Sequence, residues 1–420
     1  MYPAYNNHIL YTSSSNFGLN MSKNAVLVIN CGSSSLKFSL IEPNTSKVII
    51  SGVAERLLSA EAFIKISYAG NKTSSALNAP FDHQTAVNVI VAALHEHKLV
   101  EHLLAVGHRL VHGGESYSQP TIIIDAVKQR INELAKLAPL HNPVNLIGVE
   151  AAQKAFADLP QVAVFDTAFH QSMPEKAFIY GIPYKLYQQH GIRRYGFHGT
   201  SHYFVGKQAA KLLNKPFSDT SVISAHLGNG CSITAIDNGK SVDTSMGLTP
   251  LEGVVMGTRS GDVDPGIIFH LIQQLNYSAE EVDTLLNKES GLLGISEMSN
   301  DCRTIEEAIV NDGNVRANLT MDIFCYRIAK TIASYMASLS HFDGLIFTGG
   351  IGENSDLVRS RIINSLKLLN LEVDVQRNNE IRFGKSGLIS KQGTNNCWVI
   401  ATNEEQVIAE QTYQLISKDK

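Results

Sequence analysis

The chain has 420 residues and a formal net charge of −4, from 35 basic and 39 acidic side chains. That balance lacks the basic footprint of a general nucleic-acid binder. Hydrophobic residues make up 44%, charged residues 18%, and no apolar run nears about 18 residues, which excludes disorder over most of the chain and a membrane-spanning helix. The length suits two or three domains. Five scattered cysteines with no CxxC pair suggest neither a disulfide framework nor a zinc ribbon.

Residues 1–21 are polar and rich in Asn, Ser and Tyr. They lack the basic start and apolar core of a secretory signal and are expected to be a disordered leader. A cytoplasmic protein is expected. Val26 to Ile29 then reads as a buried strand, and Leu36, Phe38 and Leu40 alternate with polar residues in a second one. Between them lies a turn of small residues, Asn30 to Ser35. The same strand, small turn, strand unit recurs from Val222 to Ile236, a weak internal duplication. Further apolar strands run into polar or glycine loops at Val162 to His170 and Gly344 to Asn354.

Helix signals stand between the strands. Asp264-Pro265 before Ile267, Ile268, Leu271 and Ile272 reads as an N-cap with Pro at the first helical position. Ser278 with Glu281, and Thr402 with Glu405, fit capping boxes. The second would open a C-terminal helix with Val407, Ile408, Gln411 and Leu415 on one stripe. Strands mixed with such helices mean an α/β fold.

Three glycine loops follow strands, at Asn30 to Ser35, His226 to Cys231 and Gly349 to Glu353. Backbone N–H groups in such turns form anion sites, and together they point to a phosphate-rich ligand such as a nucleotide. No Walker loop and no GxGxxG fingerprint is present. Arg109 in GHRLVHGGE and Arg259 in MGTRSGD stand among small residues, where a guanidinium can meet carboxylate or phosphate oxygens. A structural salt bridge is the alternative for either. Asp166 follows a buried-type strand, a usual place for a functional carboxylate, although a turn or cap role is equally open. His112, His141, His198 and His226 border Gly or Pro in motif-like loops, whereas His95, His97 and His102 read as solvated residues of a charged helix. No HExxH spacing marks a zinc site.

The segments NCGSSSLKF, GHRLVHGGE, APLHNP, VFDTAFHQSMP, RRYGFHGTSH, HLGNG, DTSMGLTPLEG, MGTRSGD, FTGGIGEN and TNEE occur in the order found in acetate kinases. The resemblance runs from about Ala25 to the C-terminus. It implies an α/β fold of two ribonuclease H-like domains, duplicated sheets flanked by helices around a nucleotide cleft, as in the sugar kinase, Hsp70 and actin superfamily. Residues 22–168 with 403–420 would form one domain, and 169–402 the other, with the dimer interface. The resemblance makes Asp166, His198 and Arg259 catalytic. It assigns Arg109 to the substrate carboxylate, Val111, Leu140, Phe197 and Pro250 to the acyl methyl group, and His141 to a place nearby. Lys37, the loop His226, Leu227, Gly228, Asn229 and Gly230, the segment Asp301, Cys302 and Arg303, and the loop Gly349, Gly350, Ile351, Gly352 and Glu353 would face the nucleotide. Asn30 and Glu404 would serve a magnesium ion, with manganese as a tolerated substitute.

The implied reaction joins ATP and acetate to give acetyl phosphate and ADP. Acetate is already ionised near neutral pH, so catalysis reduces to positioning and charge stabilisation. Propionate or another short-chain acid is the alternative acceptor, and a non-catalytic nucleotide clamp is a distant one. The implied partners are these substrates and a second copy of the chain, with no nucleic acid and no membrane.

Overall fold

The computed structural model describes residues 23–138 and 141–418. The leader and Leu140 lie outside them. Two sheets organise the chain. The first holds β1 (Ala25–Cys31), β2 (Ser35–Glu42), β3 (Lys47–Glu55), β4 (Phe63–Tyr68), β5 (Asn71–Ala76), β6 (Leu103–Leu110), β7 (Thr121–Ile122) and β8 (Gln161–Phe165). Its spatial order is β5-β4-β3-β2-β1-β6-β8-β7. The second holds β9 (Val222–Leu227), β10 (Cys231–Asp237), β11 (Lys240–Thr244), β12 (Gly344–Thr348), β13 (Gly387–Leu388) and β14 (Asn396–Val399), in the order β11-β10-β9-β12-β14-β13.

The duplication read from the sequence is real and extends beyond the hairpins. In each sheet three antiparallel strands are followed by two more, the fourth pairing in parallel with both the third and the fifth. The run β3-β2-β1-β6-β8 matches β11-β10-β9-β12-β14 in order and direction. The parallel strands are apolar along their length and buried on both faces, as such strands must be.

Helices cover those faces. His83–Glu96 and Asn142–Ala155 pack on one side of the first sheet, where Ala86, Val87, Ile90, Ala151 and Ala152 join Leu27, Ile29 and Val106 in one core. The C-terminal helix Glu404–Lys418 covers the other side, and its Ile408, Ala409 and Ile416 meet Val26, Val28, Ala105 and Val164. Helix Gly199–Leu212 places Val205 and Ala209 against the second sheet, and Val315–Tyr335 lies on the opposite face.

Local helix signals fared unevenly. Asp264 caps its helix through Gly266 N, and the Ser278–Glu281 box is complete. The Thr402–Glu405 box is not formed. Asn403 accepts from Gln406 N instead, while the Thr402 hydroxyl meets Ser201 and the Glu405 carboxylate is taken by Ser39. The buried stripe of that helix runs through Ile408, Thr412 and Ile416 rather than Gln411 and Leu415. The helix around His95 ends at Glu96, and His97 stacks on Tyr68.

Candidate active site

Open α/β sheets present ligand groups at the carboxyl ends of their parallel strands. Asn30 stands opposite Arg109 where β1 meets β6, Arg109 stands opposite Val164 of β8, and Asp166 follows β8 directly. Asp166 grips Arg109 with both oxygens: Nε donates to Oδ1 at 3.0 Å and Nη2 to Oδ2 at 2.6 Å. Arg109 Nη1 lies 3.5 Å from Asn30 Oδ1, and Glu404 Oε2 lies 3.5 Å from Nε. Burial pushes the Asp166 carboxyl up, Arg109 pulls it down and Glu404 pushes it up again, leaving it raised to about 6. The carboxylate thus stays ionised at neutral pH. Two of the guanidinium nitrogens are committed to it, and Nη1, with only the long contact to Asn30, keeps a further N–H for a second anion.

The second sheet contributes from the facing side. His198 sits before helix Gly199–Leu212 in the left-handed region, with φ 56°. Its side chain makes no cap bond, which frees the ring. Nδ1 lies 2.9 Å from Ser232 Oγ, and the ring stacks on His226 at 4.3 Å. Burial, then His226, His202 and the positive charges of Arg109 and Arg259 hold His198 well below the usual histidine range. It is therefore neutral.

Arg259 donates from Nη1 to the Pro250 carbonyl at 3.1 Å. Among the described residues it makes no ion pair, and burial lowers its pKa. A guanidinium so placed seeds an anion site. A Cβ built on Gly230 would stand 3.3 Å from Arg259 Nη1 and 3.4 Å from His198 Cε1. The two donors therefore converge over this glycine, which leaves the approach clear. His141 precedes helix Asn142–Ala155, and burial, then the charges of Arg259 and Arg109, lower its pKa.

Around this centre lie the loops expected to meet a nucleotide. The turn from His226 through Leu227, Gly228 and Asn229 to Gly230 joins β9 to β10. Asn229 ties it to its neighbours, with its carbonyl accepting from Gly257 N and its amide oxygen from Asn300. The loop after β12 lies alongside, its Gly350 exposed. Glu353 is turned inward: its carboxylate accepts from Gly349 N at 3.0 Å and Thr402 N at 3.1 Å, which clasps the ends of β12 and β14 together. Gly349, Ile351 and Gly352 form the first turn after β12. Asp301 caps helix Cys302–Asp312 by accepting from Arg303 N and pairs with the exposed Arg303. The Cys302 side chain is buried in the core, so only its backbone is available to a ligand. Lys37 is exposed on β2, opposite Asn30.

Val111 and Phe197 share the apolar cluster beside Arg109 and His198, and Pro250 adjoins through its bond to Arg259. For a metal, Asn30 and Glu404 offer two oxygens around one guanidinium. Among the described residues no group of three His, Cys, Asp or Glu could hold an ion. Two hard oxygen donors fit a magnesium ion that keeps phosphate oxygens and waters as its other ligands.

Sequence reasoning missed the polar residues behind these groups. Thr200 Oγ1 donates to Glu404 at 3.5 Å, Ser201 meets both His226 and Thr402, and Ser232 stands between His198 and His202. The four-residue step from His198, just before the helix, to His202 on it was a sequence signal for the histidine pair alone.

Known proteins resemble this chain along most of its length. Residues 25–410 match the model of the acetokinase family. An acetate kinase of Shewanella sp. strain W3-18-1 is 56% identical over 401 residues, spanning 95% of this chain and 100% of that protein. The crystal structure of Porphyromonas gingivalis acetate kinase is 43% identical, covers 94% of this chain and 100% of that one, and has a TM-score of 0.88. A propionate kinase structure from Francisella tularensis is 44% identical with the same TM-score, covering 92% and 98%. Fold, motifs and site thus lead to one conclusion: the chain belongs to the acetokinase family.

Proposed function

We propose that this member of the family transfers the γ-phosphoryl group of ATP reversibly to acetate, giving acetyl phosphate and ADP. The observation that carries the reading is the pair of arginines with opposite surroundings, flanking a neutral histidine. Arg109 is held by a carboxylate and offers a further N–H to the acceptor. Arg259 has no acidic partner among the described residues and awaits the phosphoryl group.

A carboxylate oxygen attacks the γ-phosphorus in line, and the bond to the β-phosphate oxygen breaks as ADP leaves. No proton moves. Asp166 fixes the plane of Arg109, and Arg109 aims the acetate, with its methyl group toward Val111 and Phe197. Arg259 and His198 donate to the equatorial oxygens as charge spreads over them. The backbone N–H groups of the 226–230 and 349–353 loops cradle the remaining phosphates. Magnesium, when bound, would lie with Asn30 and Glu404 and neutralise phosphate charge.

The division into residues 22–168 with 403–420 and residues 169–402 belongs to the same reading, supported by the packing of the C-terminal helix on the first sheet. No helix of the described residues is long and apolar enough to cross a membrane, and we place the protein in the cytoplasm. A homodimer completes the reading. Its support is helix Pro265–Gln274, which buries none of its residues and exposes Ile267, Phe269 and Ile272.

The test is ATP turnover with acetate, propionate, butyrate or no acceptor, trapping acyl phosphate with hydroxylamine. Acetate should give the highest kcat/KM. One extra methylene is worth about 1–3 kcal/mol in such a pocket, so propionate should react more slowly but measurably. ATP hydrolysis without trapped acyl phosphate would overturn the reading.

A further inference from the structure

Behind His198 stands a file of buried polar side chains that the phosphoryl transfer does not itself use. Ser224 on β9, His202 on helix Gly199–Leu212 and Ser232 on β10 are all fully buried. His202 Nδ1 lies 2.9 Å from Ser224 Oγ, His202 Nε2 lies 2.7 Å from Ser232 Oγ, and Ser232 Oγ lies 2.9 Å from His198 Nδ1. The order is Ser224, His202, Ser232, His198.

Such a file can be polarised in two directions, and only one gives both fully buried hydroxyl protons an acceptor. Among the described residues the Ser224 hydroxyl has no partner but His202 Nδ1. A buried hydroxyl proton without an acceptor is costly, whereas an unused lone pair costs less. The Ser224 proton therefore goes to His202 Nδ1. His202 must then be protonated at Nε2 and donates to Ser232 Oγ. Ser232 in turn donates to His198 Nδ1, and the neutral His198 carries its proton at Nε2. The opposite direction strands the Ser224 proton and leaves a lone pair at His198 Nε2. That atom lies beside Gly230 and Arg259, where anionic oxygens would be repelled by it.

We propose that Ser224, His202 and Ser232 act as a one-way hydrogen-bonded relay that fixes the tautomer of His198, with the Nε2 proton directed to the transferring phosphoryl group. Ser232 and His202 are positioning residues: they touch no substrate and act through His198. The relay's catalytic meaning rests on the proposed reading of His198 as a phosphoryl donor, but its direction follows from the buried geometry alone. Burial favours the neutral form in both rings, which is the condition a tautomeric device requires.

The test uses full-length protein labelled with ¹⁵N-histidine and long-range ¹H–¹⁵N correlation of the ring nitrogens, with His198 assigned by its loss in His198→Ala. The wild-type, ligand-free protein should show His198 protonated at Nε2 and His202 protonated at Nε2. A His198 protonated at Nδ1 overturns the relay, and this result needs no variant at Ser232 to fold. In Ser232→Ala the His198 signals should move to a mixture of tautomers. Its kcat should fall about tenfold, less than the ~10²–10³ expected for losing the donor itself, with both KM values within about twofold. His202→Gln keeps an N–H toward Ser232 and should retain more kcat than His202→Leu. Unchanged tautomer and unchanged kcat in Ser232→Ala overturn the proposal. If His198→Ala keeps full turnover while the wild-type tautomer is as expected, the donor reading fails and the relay stands.

Discussion

Arg109 and Arg259 carry the same charge, yet their neighbours prepare them for different moments of the reaction. Asp166 already orders Arg109, so under the proposed mechanism its contact with acetate would be made in the ground state. Arg109→Ala should raise the acetate KM at least tenfold, whereas Arg259→Ala should chiefly lower kcat. Steady-state kinetics on both variants checks this, and equal effects on KM alone would refute the division. Asp166 adds a pH dependence. Its carboxyl is raised from 3.8 to about 6 in the folded chain. The folded state therefore holds this proton more tightly than the unfolded one. Its contribution to stability is largest at low pH and is lost as pH rises through about 6. Activity runs the other way, because protonation below about 6 removes the anion that orients Arg109. The acetate KM should rise as pH falls through that value. Asp166→Asn should show a high KM with that step gone from a pH titration.

Single elements meet the site through close approaches that only a missing side chain permits. Helix Gly199–Leu212 begins so near the end of β8 that a Cβ at Gly199 would overlap the Asp166 carbonyl oxygen. Gly199 N in fact donates to that oxygen at 2.9 Å. Gly199→Ala should therefore lower the melting temperature and activity together, since backbone must shift. Gly230→Ala differs, because its Cβ would meet only side-chain atoms, Arg259 Nη1 at 3.3 Å and His198 Cε1 at 3.4 Å. It should keep its melting temperature within a few degrees and lose kcat. Thermal melts and turnover on the same preparations separate the two cases. The contrast also explains what the sequence could reveal. The strand, turn, strand units from Ala25 and Val222 were legible because alternation and small turn residues are local signals. So was the Ser278–Glu281 box. The Thr402–Glu405 box failed because Ser201 and Ser39, remote in sequence, claim its side chains. The edge strand β5 and its neighbour β4 escaped notice, as β5 is exposed throughout and lacks apolar alternation. Arg109 and Arg259 stood out as charges among small residues, Asp166 by its place after a buried-type strand and His198 by its glycine-bordered loop, while Asn30 stood out only as part of a turn and took its metal role from the resemblance. The file behind His198 was not legible, since Ser224 and Ser232 lie on strands that only folding brings beside the helix.

At the scale of the whole molecule, two copies of one strand pattern face each other with their parallel carboxyl ends on a common site. The residues assigned to chemistry all lie on a single copy of the chain, and a second copy is proposed on other grounds. Helix Pro265–Gln274 gives the separate reason to expect one. Its sequence, PGIIFHLIQQ, is apolar enough for a core, yet Ile267 is 45%, Phe269 59% and the following Leu275 54% exposed. Isolated apolar residues on a surface are ordinary, but several on one helix without a covering element mark an interaction face. An obligate dimer interface of this kind is hydrophobic at its centre and disrupted by a buried charge. Phe269→Asp should therefore yield monomers in sedimentation velocity at micromolar concentration, where the wild-type chain should sediment as a dimer. Because the substitution lies away from Arg109, His198 and Arg259, the acetate and ATP KM values of the monomer should stay within a few-fold of the parent. Its melting temperature should fall and lose the concentration dependence that linked association gives the parent. A wild-type chain that sediments as a monomer would refute the interface. A Phe269→Asp chain that remains dimeric would move it to another face.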